Sequence, residues 1–156
     1  MIKMKKIIIW ILVLSWMGLI FYYSSMDADT STSKSRGVIT STGIIDNTIS
    51  PIEKEEALKT TDVILRKVAH ALEYLILSIL VCFLIKEYTL DIKKILIISA
   101  IICFLYACSD EIHQIYVPGR SCEIRDVLID NIGACFGYLI FYLSGKKLWK
   151  RVVKND

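Results

Sequence analysis

With 156 residues the chain has room for one domain and little else. Its residues are 54% hydrophobic at a mean hydropathy of +0.53, which sets aside an ordinary soluble core. A net charge of +3 gives no reason to expect nucleic acid as a partner, and five cysteines, an odd count, set aside a disulfide framework.

The N-terminus reads Met-Ile-Lys-Met-Lys-Lys and runs into twenty uncharged residues, Ile7 to Met26. A signal peptide also opens on basic residues, but its apolar stretch is shorter and ends at a small-residue cleavage site. This run is long enough to span, and Phe21, Tyr22 and Tyr23 near its end suit an interfacial belt. Trp10 and Trp16 are expected to anchor at the interface or pack towards lipid. The stretch from Thr30 to Gly43 is rich in Ser and Thr without periodicity and is expected to be a mobile part of an outer loop spanning 27–62. Within that loop Ser50-Pro51-Ile52-Glu53 carries a capping box, which predicts a short surface helix to about Lys59. Thr61 or Asp62 then offers a cap for the next span.

Three more apolar segments follow. Val68–Ile85 is interrupted by His70 and Glu73, while Ile95–Ser109 and Asn131–Gly145 are fifteen uncharged residues each. All three fall short of the ~20 residues that cross a bilayer unless their polar ends are helical too. The polar ends therefore belong to the helices, giving spans at about 7–25, 66–85, 95–116 and 124–145. Basic residues set the orientation: eleven lie in the segments that are cytoplasmic if the N-terminus is inside, while loop 27–62 has four against seven acids. The expected architecture is all-α, a small antiparallel bundle of four transmembrane helices within one domain, both ends inside. Cys82, Cys103 and Cys135 lie in apolar runs; Cys108 and Cys122 lie nearer the outer side, where a bridge between them is a minor alternative.

Alternating direction brings the ionisable residues to one level at the outer face. Arg66, Lys67, His70 and Glu73 open the second span, Asp110, Glu111, His113 and Gln114 close the third, and Arg125, Asp126 and Asp130 open the fourth. Lys67, His70 and Glu73 recur every three residues on one face. Asp126 and Asp130 continue into Gly133 and Gly137, small residues that admit a neighbouring helix. At ~1.5 Å per residue Glu73 and Asp130 lie about 6–9 Å below the surface, where a charge must be paired, hydrated or bound. Pro118-Gly119 predicts a tight turn that presents Arg120 over the cluster.

These motifs carry a resemblance. Phe21-Tyr22-Tyr23-Ser24-Ser25, then Lys67-Val68-Ala69-His70-Ala71-Leu72-Glu73-Tyr74, Asp110-Glu111-Ile112-His113-Gln114, Pro118-Gly119-Arg120, Asp126, Asp130, Gly133 and Gly137 resemble the VanZ-like family in order and spacing. The likeness runs from about Phe21 to Gly137; Asp130 stands where many members carry Asn. It implies a cell-envelope role in a bacterial plasma membrane, with lowered sensitivity to teicoplanin for the name-giving member, and implies no settled reaction.

Two chemistries suit the cluster, beside a structural one in which the ion pairs only fix how the helices dock. As a binding site, Lys67, Arg120 and Arg125 would meet a phosphate or carboxylate, with Gln114, Asp126 and Asp130 around them. The expected partners are membrane lipids and a lipid-linked cell-wall precursor. As an enzyme, His70, Glu73, Asp110 and Glu111 are the catalytic candidates, either as a general acid/base pair or with a divalent metal, whose ligand types are present. No metal-binding spacing or activated nucleophile pattern occurs, so the sequence names no cofactor. Transport fits less well, because no internal repeat is visible and the polar groups sit at one face.

Overall fold

The computed structural model describes the backbone of residues 2–43, 45 and 50–153 and side chains within 4–43, 45 and 50–145. Among these residues there are five helices and no strand: α1 (Ile2–Ser24), α2 (Ala28–Thr42), α3 (Pro51–Lys86), α4 (Ile92–Gln114) and α5 (Ile124–Val153). All but α2 are long and apolar enough to cross a membrane, with mean hydropathy between 1.5 and 2.3 over their most apolar stretches. Their outward faces are apolar as well. Ile8, Ile11 and Leu14 of α1, Ile101 and Leu105 of α4, and Ile132 and Phe136 of α5 are all exposed, as lipid contact requires.

α3 is the centre of the bundle and packs against each of the other four helices. Val13 and Ile20 of α1, Tyr74, Leu77, Val81 and Leu84 of α3, Cys103 and Ala107 of α4 and Ala134 of α5 make one buried cluster. The glycine stripe sets the α3–α5 approach. A methyl group on Gly133 would overlap the Ala71 backbone carbonyl, and one on Gly137 would collide with Ser78 and the Leu75 carbonyl. All five cysteines are free.

The end opposite the polar cluster is tied by side chains. Lys5 pairs with Glu87 at 2.5 Å, Trp10 Nε1 donates to Tyr88 Oη at 2.9 Å, and Lys6 stands over the Tyr88 ring. Of the two roles expected of Trp16, packing towards lipid is not what it does: it is half-buried, and its Nε1 donates to the Glu73 carbonyl at 2.9 Å, joining α1 to α3.

The expected loop 27–62 needs correction in two places. Thr30–Gly43 is not a loop, because Ala28–Thr42 forms α2. Asp27 caps it by accepting from Thr30 N at 2.7 Å, and Gly43, at φ 66°, closes it by donating to the Thr40 carbonyl. Tertiary contacts supply what helix propensity lacks: Ile39 is fully covered, and Ser35 Oγ donates to the buried Asp62 carboxylate. Second, the surface helix and the second span are one 36-residue helix. The capping box is as expected, with Glu53 N to Ser50 Oγ at 3.3 Å and Ser50 N to Glu53 Oε2 at 3.0 Å. Asp62 is no cap. It is 4% exposed inside the continuous helix, bonded to Ser35 and paired with Arg66 at 3.2 Å. At ~1.5 Å per residue, α3 is nearly twice the ~30 Å of a hydrocarbon core, so its first part projects from the membrane with α2 alongside.

Asp27 also gives a pH signature outside the membrane. The Thr30 amide, then the Thr30 hydroxyl, hold its carboxyl below the ordinary value of 3.8. Its support for α2 is therefore complete above that value and declines as pH falls through the lower folded value. Asp27→Ala is expected to lose hydrogen-exchange protection over residues 28–34 near neutral pH. Near pH 2 the protection factors of wild type and variant should converge; a constant gap at both pH values would contradict the cap's role.

Candidate functional site

The polar ends of α3, α4 and α5 do meet. Lys67 of α3 forms an ion pair with Asp126 of α5, and His70 Nδ1 stands 3.4 Å from Glu73 Oε2 one turn below. Glu111 of α4, 2% exposed, accepts from the Glu123 backbone amide at 2.9 Å, which fixes the entry into α5. Gln114, also buried, donates to Ser24 Oγ at 3.0 Å and so ties α4 to the end of α1. Asp110 and Asp130 lie inside the bundle. Both are almost fully buried; Asp110 lies beside Ser24 and Gln114, and Asp130 Oδ1 lacks a hydrogen-bond partner. Both lie, with Glu73, within electrostatic reach of the His70 ring.

The turn behaves as predicted and its arginine does not. Gly119 takes φ 73°, and Ala28 N donates to the Pro118 carbonyl at 3.3 Å, so the turn seats against the start of α2. Arg120 is not held free over the cluster. Its Nε donates to the Met26 carbonyl at 3.1 Å and its Nη2 to Ser31 Oγ at 3.0 Å. A fork with five N–H donors can lock a connection and still present a charge. Burial, then the charge of Arg66, hold this guanidinium below its usual pKa, against the pull of Asp110, Glu111 and Asp126. Arg125 sits at the rim, 82% exposed and paired with Glu123 at 3.3 Å. His113 has a local role, with Nε2 3.1 Å from Ser25 Oγ and its ring stacked on Phe21.

Two clefts with a common wall open among these helices. The first, of about 370 Å³, is lined by polar and cationic groups, among them Arg66, Lys67, Gln114, Arg120, Arg125 and Asp126. The second, of about 360 Å³, lies between the end of α1, α2 and α3 and is mostly apolar, with Tyr23, Met26, Val38, Leu65 and Ala69 on its walls. Arg66, His70 and Arg120 line both. Among the described residues no three His, Cys, Asp or Glu side chains are grouped so as to hold a metal ion. The geometry therefore gives the metal-assisted chemistry no specific support.

The family model described as VanZ/LLP1 matches residues 9–145, nearly the whole bundle. The chain belongs to the VanZ/LLP1 family. Comparison with curated proteins and with solved structures found no match. Four apolar helices and VanZ/LLP1 membership together make this a VanZ-like multi-pass membrane protein. Of the candidate residues, Lys67, His70, Gln114, Arg120, Arg125 and Asp126 line the first cleft, and His70, Glu73 and Arg120 line the second; Asp110, Glu111 and Asp130 are buried and line neither. Two contributors were missed. Arg66 stands among the outer ionisable residues of the sequence, where nothing in its spacing separates a wall residue from a surface one. α2 was missed because its side chains show no apolar periodicity.

Proposed function

We propose that the polar cleft binds an anionic head group carried by a lipid or a lipid-linked wall precursor at the outer leaflet of a bacterial plasma membrane. Holding or altering that molecule would lower sensitivity to teicoplanin-type lipoglycopeptides. The observation that carries the reading is the pair Arg66 and Arg120. Two guanidinium groups within electrostatic reach line one cleft, and Arg66 Nε is buried without an acceptor. Like charges gathered beside an unmet donor are stabilised by an anion that arrives from outside, and phosphate or carboxylate geometry suits the guanidinium fork. Lys67, already paired with Asp126, adds a third cation.

The test is drug susceptibility in a strain that depends on this protein. Lys67→Gln is expected to lose most of the protection from teicoplanin, by about tenfold if one charged contact of about 1.4 kcal/mol is removed. Lys67→Arg should restore it. Full protection in Lys67→Gln, with the variant present in membranes at the wild-type level, would contradict the reading.

A second reading draws support from one contact. His70 faces both clefts and stands beside Glu73, an arrangement able to move a proton at a bound ester or amide. Precursor and lipid analysis of the same strains separates the two. A product that accumulates with wild type and disappears with Glu73→Gln marks an enzyme, and an unchanged pool marks a binder.

A further inference from the structure

The two clefts differ in chemistry, the second being the more apolar although Lys34 and Glu73 also line it, and they share a wall made of Arg66, His70 and Arg120. A small soluble anion would need only the first. We infer that the site takes a two-part ligand, a phosphate-headed amphiphile, with the head in the polar cleft and one apolar chain in the cleft between α1, α2 and α3. The inference rests on the anion-binding reading above and names the class of ligand.

Three observations bear on it. Both guanidinium groups of the common wall already have one side engaged within the protein, Arg66 by Asp62 and Arg120 by Met26 and Ser31. They are thus held in fixed positions, as a preorganised anion site requires. Arg66, whose buried Nε has no acceptor, lines both clefts and so stands where a head group joined to a chain would lie. In the second cleft the walls turn apolar at Leu65 and Ala69 of α3, Tyr23 and Met26 at the end of α1, and Val38 of α2. Phosphate suits the polar cleft better than carboxylate, since it offers three oxygens to Arg66, Lys67 and Arg120, which all line it.

The second cleft does not act by hydrophobic affinity. A chain already in a bilayer gains little by moving onto another apolar surface, so the cleft selects and orients the ligand while the cations bind it. Blocking the apolar cleft should therefore displace the chain and leave the head's attraction in place.

The experiment uses the full chain in phosphatidylcholine nanodiscs. One probe is hexadecyl phosphate with a diazirine at the chain terminus, with cross-links mapped by mass spectrometry; the other is inorganic phosphate, titrated by calorimetry. Wild type is expected to bind phosphate and to concentrate cross-links on the segments around Val38 and Leu65–Ala69, with unlabelled hexadecyl phosphate competing. Ala69 and Val38 are exposed, so Ala69→Trp and Val38→Trp fill the cleft without entering the core. Each should cut those cross-links by about tenfold, the effect of about 1.4 kcal/mol, with phosphate binding unchanged. Lys67→Gln should weaken both signals. Phosphate binding with cross-links scattered over the lipid-facing helices would overturn the chain seat and spare the anion reading. Localised cross-links without phosphate binding would overturn the two-part ligand, and absence of both signals would remove the anion reading as well.

Discussion

Gly133→Ala is expected to destabilise the bundle by at least about 3 kcal/mol, the upper range for overpacking, because the added methyl meets backbone. A Cβ there would overlap the Ala71 carbonyl oxygen and crowd the Ala71 carbonyl carbon and Cα, none of which can rotate away as a side-chain tip can. α3 and α5 would have to separate, and their separation would pull Lys67 from Asp126. The control is the same change at Gly18 of α1, where an added Cβ has no atom within 4 Å. Reversible unfolding in lipid by steric trapping should show a large loss at Gly133 and little change at Gly18. Equal losses at the two positions would contradict the close approach of α3 and α5 as the source of the cost, since helix propensity alone favours alanine at both.

Arg120→Ala should have the second large effect, and through two routes. The substitution removes the donors to the Met26 carbonyl and Ser31 Oγ, bonds from a charged group that contribute about 1.5–3 kcal/mol. α2 then loses its side-chain tie to the turn, keeping only the Ala28–Pro118 backbone bond, and both clefts lose a cation of their shared wall. Increased proteolysis of α2 and loss of teicoplanin protection are expected together. Arg120→Lys should recover part of the protection and little of the α2 protection, because a lysine ammonium cannot present the two-pronged contact of a guanidinium. An α2 as resistant to proteolysis in Arg120→Ala as in wild type would contradict the docking role.

The four long helices were legible because their evidence is local: apolar runs, basic flanks, the Ser50 capping box and the Pro118-Gly119 turn each act within a few residues. The site was legible at the level of which residues gather. Alternating helix direction alone brings Lys67 to Asp126, and helical spacing alone sets Glu73 beside His70. The glycine stripe likewise marks the face of α5 that meets α3. What could not be read depends on partners distant in the chain. α2 has little intrinsic reason to be helical and is held by Asp62, some 27 positions away. The same Asp62 looks like a helix cap in isolation, because Thr and Asp before an apolar run carry that signal. Buried against Ser35 and Arg66, it continues α3 instead. Arg120 shows the same limit: its position over the site follows from the turn, while its bonds to the end of α1 and to α2 follow from the packed fold.

The central claim is that polar groups from separate helices share one site, open to the outside of the membrane. Intact cells carrying cysteine-free protein with Lys67→Cys, Asp126→Cys or Ser121→Cys, and Glu87→Cys as the opposite-end control, should be labelled with a membrane-impermeant maleimide. Labelling is expected at 67, 121 and 126 from outside, with protection at 87, and a short bis-maleimide should join 67 to 126 in a chain carrying both Lys67→Cys and Asp126→Cys. Positions 67 and 121 reached from opposite sides of the membrane would contradict that claim.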